Sequence, residues 1–266
     1  MSKYRPKRRW GQNFLIDNNI IHKIGEAIQP KPDDIILEIG GGKGALTEYL
    51  LDSEAGQVHT VEIDDHLVQI LDNKFSSRDN FHIHKQDILD FDFSSVFNGK
   101  QKIRVVGNIP YNITSPLLGK IFENADLIAD VFLLVQKELA ERICSGPGNK
   151  TYGILSIITR LFGQPKKLFD VSRNVFRPRP NVTSALFKID IDNRYEMNGK
   201  DIEKVRKVVK AGFNKRRKTL RNSLKKLLPE DRSDCPIDLS LRPERLAVDD
   251  FILLTRWIDE KNALLP

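Results

Sequence analysis

Ile35-Ile36-Leu37-Glu38-Ile39-Gly40-Gly41-Gly42-Lys43-Gly44-Ala45 decides the fold of this chain. The apolar run is short and stops at glycines, which is the pattern of a strand buried on both faces of a parallel sheet. The glycines let the backbone turn sharply and approach a ligand closely. A helix is expected from Ala45 to Leu51. Outward from this unit the alternation repeats. Val58–Ile63, Phe81–His84, Ile103–Val106 and Val131–Val135 read as strands. Helices are marked by Leu67, Ile70, Leu71 and Phe75, by Leu117–Phe122 and by Leu139–Ile143. Strands alternating with helices indicate a doubly wound α/β sheet.

Upstream, Asp17 is placed to cap a helix carrying Ile20, Ile21, Ile24 and Ile28 at helical spacing, with Pro30 and Pro32 ending it. Downstream, Ser145–Asn149 reads as a loop and Gly153–Phe162 as an apolar helix. Leu168–Val175 and Val182–Ile191 read as two strands forming an antiparallel edge. The strand signal stops near Asp192, and 201–213, 215–228 and 248–261 look helical. The expected division is an α/β domain over 1–192 and a small all-helical domain over 193–266.

Among 266 residues, 40% are hydrophobic and 30% charged, enough apolar material for a core and against a disordered chain. No stretch approaches the roughly 18 apolar residues of a membrane helix, and no apolar region follows the basic N-terminus as a secretory signal requires. Cys144 and Cys235, far apart, suggest neither a disulfide framework nor zinc, and fit a reducing cytoplasm. The net charge is +7 but unevenly placed. Residues 1–9 hold five basic and no acidic side chains, and residues 200–226 hold twelve basic and two acidic, leaving the rest net acidic. Two basic segments on an acidic body suggest a polyanionic partner.

The glycine loop alone is ambiguous. Gly40-x-Gly42-x-Gly44 suits a methyltransferase, and Gly40-x-Gly42-x-x-Ala45 also satisfies a relaxed dinucleotide fingerprint. A Walker A loop fails because Gly44 follows Lys43. Glu62, 22 positions after Gly40, is placed to accept bonds from a ribose, which both cofactor classes carry. Asp87, after the third strand, is placed for an adenine amine. His82 and His84 lie two apart on one strand, but without a third ligand they read as surface or packing residues.

Asn108-Ile109-Pro110-Tyr111 is the most specific signal. Adenine N6 is a weak nucleophile because its lone pair is delocalised into the ring. The Asn108 side-chain oxygen and a main-chain carbonyl near Pro110 suit its two hydrogens, drawing the nitrogen towards tetrahedral geometry. Pro110 stiffens the turn, and Tyr111 offers a flat face for an unstacked base.

With these motifs the sequence resembles the rRNA adenine N6-dimethyltransferases, most closely the branch acting on small-subunit rRNA. The resemblance extends over nearly the whole chain. It runs through Gly11-Gln12-Asn13-Phe14-Leu15, the Glu38–Gly44 motif, Glu62, Gln86-Asp87 and Asn108–Asn112. It continues through Phe176-x-Pro178-x-Pro180-x-Val182-x-Ser184, Arg216–Asn222 and Arg242-Pro243-Glu244. Ile109 departs from the Leu of many members of this branch and matches the related macrolide-resistance enzymes of large-subunit rRNA. The Arg216–Asn222 and Arg242–Glu244 segments match the small-subunit branch.

The resemblance implies a Rossmann-like fold and S-adenosylmethionine as methyl donor, with no metal. Asn13 and Leu15 would touch the cofactor, Gly40 its methionine part, Glu62 the ribose and Asp87 the adenine amine. Asn108 would sit near both the transferred methyl and the target N6, and Phe176 would face Tyr111 across the substrate base. The implied product is N6,N6-dimethyladenosine at two adjacent adenosines in the 3′-terminal hairpin of small-subunit rRNA. Arg216, Arg217, Lys218 and Arg221, with the arm 1–9, would meet rRNA phosphates. A cytoplasmic monomer working on rRNA or a small-subunit precursor, with no membrane partner, is the expectation. A large-subunit methyltransferase and a non-catalytic assembly factor are the competing readings. A nicotinamide dehydrogenase is weaker, because no hydride-handling residue is evident.

Overall fold

The computed structural model describes residues 11–110, 112–192, 194–215 and 217–263. Contacts divide the chain into two compact units, Met1–Ala140 with Gln164–Asp192, and Glu141–Gly163 with Asn193–Pro266.

The first unit is organised by a seven-stranded sheet. Its parallel part comprises β2 (Ile35–Ile39), β3 (Gln57–Glu62), β4 (Phe81–Lys85), β5 (Ile103–Asn108) and β6 (Ile128–Gln136). Strand β7 (Gly163–Val171) lies at one edge, beside β9 (Ser184–Ile191), which runs antiparallel to β6. The strand order is β4-β3-β2-β5-β6-β9-β7. A separate two-stranded ladder joins β1 (Phe14–Leu15) to β8 (Phe176–Arg177). Every residue of β2 is buried, as a run without polar alternation requires. The helices α1 (Asn18–Ile28), α2 (Ala45–Asp52), α3 (Asp65–Phe75) and α4 (Thr114–Glu123) connect the strands, and α5 (Lys137–Cys144) follows β6. Ile24, Ile28, Leu50, Leu71 and Phe75 close on Ile36, Val58 and Val106 as the apolar core.

The chain leaves β2 towards β3 on one side and later enters β5 on the other. The order therefore reverses between β2 and β5, and a crevice opens beyond their carboxyl ends. Register places Ile39 opposite Gly107, so Gly40 and Asn108 stand at the two lips of that crevice.

Local signals acted as read. The Asp17 carboxylate accepts the Ile20 N–H at 3.2 Å, capping α1. Gln29 closes α1 in the left-handed region at φ 52° with its N–H on the Gly25 carbonyl, and Pro30 cannot continue the helix. At the opposite end of the sheet from the crevice, the Arg104 guanidinium ties four pieces of chain together. It makes a forked pair with Asp130, bonds Asp34 at 2.6 Å and donates to the carbonyls of Ile28 and Gln29. Lys keeps the charge and loses the fork. Arg104→Lys is expected to destabilise the protein by about 1.5–3 kcal/mol, the scale of hydrogen bonds to charged groups. Urea unfolding at pH 7 measures this, and an unchanged midpoint refutes it.

Two element boundaries are corrected. The strand expected at Leu168–Val175 starts and ends earlier, at Gly163–Val171, and Arg173–Val175 forms a 3-10 turn capped by Ser172. The helix expected over 215–228 shrinks to α8 (Leu220–Ser223). The N–H groups of Leu220 and Arg221 bond the carbonyls of Leu241 and Leu239, so a neighbouring loop takes the place of a preceding helical turn.

The second unit contains α6 (Ile154–Phe162), α7 (Gly199–Phe213), α8 and α9 (Val248–Ala263). Sequence placed α6 with the α/β part. Its buried face, including Ile157, Ile158, Leu161 and Phe162, instead finds its cover on α7 and α9. The Tyr152 hydroxyl donates to the Leu246 carbonyl at 3.0 Å, and burial pushes its pKa up to about 12. No helix among the described residues is long and apolar enough to cross a membrane.

Candidate active site

The turn after β2 builds the floor of the crevice. Gly40 adopts φ +73°, and a β-carbon there would meet no atom within 4 Å, so this backbone lies open to a ligand. At Gly41 the reason is different: a β-carbon would come within 2.4 Å of the Thr60 methyl. Beneath the turn, the buried Glu38 carboxylate accepts the hydroxyls of Thr47 at 2.6 Å and Thr60 at 3.1 Å. Burial pushes its pKa up to about 7.

Glu62 ends β3 and is 5% exposed. Its carboxylate accepts the backbone N–H of Gly42 at 3.1 Å, of Ile63 at 2.9 Å and of Asp64 at 3.0 Å. Burial raises its pKa, and these three donors oppose the rise. One side chain thus ties the glycine turn to the start of α3, and an ionised carboxylate still has lone-pair capacity for a ligand hydroxyl. Asp87 follows β4, and its carboxylate accepts the Leu89 N–H at 2.9 Å, which turns the chain there.

Asn13, Gly40, Glu62, Asp87, Asn108 and Pro110 all line one cavity of about 290 Å³. Six expected positions drawn from five stretches of sequence therefore meet at one place. Leu15 does not line it. Leu15 borders a smaller hollow of about 50 Å³ that shares Phe14, Gly40, Gly42 and Asn108 with the main cavity. Phe176 is on neither wall. Paired with Leu15 across the β1–β8 ladder, it is 1% exposed in the apolar core beside Val106, Phe132 and Leu134. The open aromatic face expected of it is not presented in this structure, because the ladder holds its ring inward. The arm 1–9, Tyr111 and Arg216 lie outside the described residues. Arg217, Lys218 and Arg221 are exposed on the second unit.

Ile63 and Ile88 also line the cavity, and reasoning from sequence missed them. Each directly follows a carboxylate residue at the end of a strand, where a turn is usually polar. Ile63 remains 42% exposed, and the signal available in the sequence was an apolar residue directly after a strand-ending carboxylate. The walls thus combine apolar surfaces with a buried and a half-buried carboxylate, acceptors suited to the hydroxyls and amine of an adenosine.

The histidine pair also acquires a neighbour that sequence did not supply. His59 of β3 stacks on His82 with 4.5 Å between centroids, and its Nδ1 lies 3.1 Å from His84 Nε2. Burial and the two other imidazoles push the His59 pKa down to about 4. His59 lies nearly parallel to both other rings and bonds His84, while His82 Nε2 pairs with Gln57 Oε1 at 2.6 Å. Among the described residues no group of three His, Cys, Asp or Glu is arranged to hold a metal ion.

The ribosomal RNA adenine dimethylase family model matches residues 3–260. The ribosomal RNA small subunit methyltransferase A of Pseudomonas syringae pv. syringae is 43% identical over 260 residues, covering 97% of each chain. The protein of the same name from Pseudomonas aeruginosa is 40% identical over 259 residues, covering 97% of this chain and 96% of the relative. Among solved structures, a dimethyladenosine transferase from Plasmodium falciparum superposes with a TM-score of 0.81 at 26% identity, covering 94% of this chain and 98% of that one. The 23S rRNA methyltransferase ErmE superposes with a TM-score of 0.73 at 26% identity, covering 93% and 100%. The Rossmann-like α/β fold is shared with both. Agreement of this extent along almost the whole length shows that the chain belongs to the ribosomal RNA adenine dimethylase family.

Proposed function

We propose that this protein transfers methyl groups from S-adenosylmethionine to N6 of two adjacent adenosines in the 3′-terminal hairpin loop of small-subunit rRNA. The observation that carries the reading is the position of Asn108. It ends β5 at the lip of the crevice and shares a cavity with Glu62 and Asp87. The cavity fits the cofactor: Gly40 lies open, two carboxylates stand at different depths, and Ile63 and Ile88 offer apolar contact. Glu62 would hold the ribose, Asp87 the adenine amine, and Gly40 and Asn13 the methionine part. When bound, the cofactor supplies a methyl made electrophilic by positive sulfur.

The remaining work is alignment, which by itself removes a large part of a bimolecular barrier. The Asn108 Oδ1 accepts one hydrogen of the target N6. The Pro110 carbonyl already accepts the Ile113 N–H at 3.2 Å and closes a turn. The carbonyl of Ile109, one residue back, is therefore the better second acceptor. Tyr111 would stack on the unpaired base. As the bond from N6 to the methyl carbon forms and the methyl–sulfur bond breaks, the nitrogen becomes cationic and acidic, so its extra proton can pass to water and no strong general base is needed.

Substrate grip falls to the basic helical unit, with the enzyme acting as a cytoplasmic monomer. Arg217, Lys218 and Arg221 are exposed, as phosphate contacts require. Replacing Arg216, Arg217, Lys218 and Arg221 together with Gln is expected to reduce the salt dependence of rRNA binding by a slope of about 3–4, four contacts at roughly 0.7–0.9 each. Affinity for S-adenosylhomocysteine should stay unchanged; an unaltered slope would refute the assignment. The reaction is tested with labelled S-adenosylmethionine on unmodified small-subunit particles, with large-subunit rRNA in parallel. Dimethyladenine in the small-subunit RNA alone supports the proposal. Label in the large-subunit RNA points to the resistance-type reaction, and tight binding without transfer points to an assembly factor.

A further inference from the structure

Asn108 does not stand alone at the lip of the crevice. Its Nδ2 donates to the main-chain carbonyl of Asn13 at 2.8 Å, across 95 positions of sequence. A carbonyl oxygen only accepts, so the end of the carboxamide that meets it must be the NH2 end. That contact leaves Oδ1 as the end directed elsewhere. The segment supplying the carbonyl is itself held in place. Asn13 Nδ2 bonds the Gly11 carbonyl at 2.9 Å, and Gln12 Nε2 reaches Asp64 at 3.3 Å. Phe14 and Leu15 pair with Arg177 and Phe176, and the Ile16 N–H bonds the Val175 carbonyl at 2.9 Å. Gly11, at φ +60°, lies against Pro110, where an added β-carbon would stand 3.5 Å from the proline ring.

We infer that the main-chain carbonyl of Asn13 is a positioning group for methyl transfer, setting the Asn108 carboxamide so that its oxygen serves the substrate amine. The inference rests on the adenine-methylating reading of the site and adds a chemical requirement to it. Position 108 must donate to the strap and accept from the substrate at the same time. An ionised Asp has the right shape but only accepts, and would set oxygen against oxygen. A protonated Asp restores one donor and one acceptor.

The test is Asn108→Asp read against pH, with Asn108→Ala and the wild-type protein beside it. Other titratable groups on the same walls are Glu38, Lys43, Glu62 and Asp87, with Asp64 on the Gln12 tether. All are common to the three proteins, so each variant is expressed as a ratio to wild type. The kcat/KM ratio of Asn108→Asp is expected to rise as pH falls from 8.5 to 5.5. Above the carboxyl pKa the rise should approach about tenfold per unit, as the protonated fraction does. The Asn108→Ala ratio should stay flat. Affinity of Asn108→Asp for S-adenosylhomocysteine should tighten over the same range, because the strap also carries a wall of the cavity. A flat Asn108→Asp ratio in both measurements, or wild-type activity at pH 8.5, overturns the inference. Acid-dependent binding in Asn108→Asp, with no rRNA methylation by the wild-type protein, upholds the positioning contact and overturns the proposed reaction instead.

Discussion

Asn108→Ala is expected to lower methyl transfer to rRNA by about 10²–10³-fold, the usual cost of removing one preorganised polar group from the reacting centre. The side chain ends β5, and register with β2 holds it opposite the glycine turn. Alanine removes the acceptor for N6 and leaves the strand intact. Cofactor affinity should change far less. The variant gives up one neutral hydrogen bond, to the Asn13 carbonyl, worth about 1 kcal/mol or roughly fivefold. Single-turnover transfer and calorimetric titration with S-adenosylhomocysteine separate the two effects. A variant that loses binding and transfer in equal proportion would show that Asn108 serves the cofactor rather than the methyl acceptor.

Glu62→Ala is expected to fail differently, in binding and in stability together. The carboxylate satisfies the N–H groups of Gly42, Ile63 and Asp64. Alanine leaves those donors without an acceptor, at about 1–3 kcal/mol each where they stay dry. With all three dry the loss would be about 3–9 kcal/mol, and water entering the cavity brings the expected value to the lower part of that range. Glu62→Gln keeps one accepting oxygen but turns an NH2 group towards the same donors, so it should fall between the two. Urea unfolding gives the stability, and S-adenosylhomocysteine titration should show at least tenfold weaker binding for Glu62→Ala, the loss of one hydrogen bond to a charged group. An unchanged unfolding midpoint would mean that the three donors find other partners.

Glu62 also shows how much of the site was legible in advance. Its distance from Gly40 places it at the crevice as a candidate ribose acceptor, and it does line the cavity, because strand length and helix length in a βαβ unit fix where the next strand ends. Its second task, bracing the glycine turn, was not legible: the bond to Gly42 spans 20 positions and exists only once β2 and β3 lie side by side. Phe176 shows the converse. A motif marks the residue, but its exposure depends on the β1–β8 ladder, and pairing between chain segments so far apart leaves no periodic trace in either one. The third histidine is of the same kind, since His59 meets His82 only through strand register.

The sequence by itself determined the alternation of strands and helices, the cap at Asp17, the glycine turn and the residue types needed around an adenine amine. These are local, set by hydrophobic period, backbone freedom and functional-group chemistry over a few residues. Tertiary structure alone decided that α6 joins the helical unit, that Arg104 draws together distant pieces of chain on the far side of the sheet, and that the Asn13 carbonyl meets the Asn108 carboxamide. In each case the partners are far apart in sequence and one of them is a backbone group or a packing face. Every residue carries the same backbone, so its side chain does not announce where that backbone will be used.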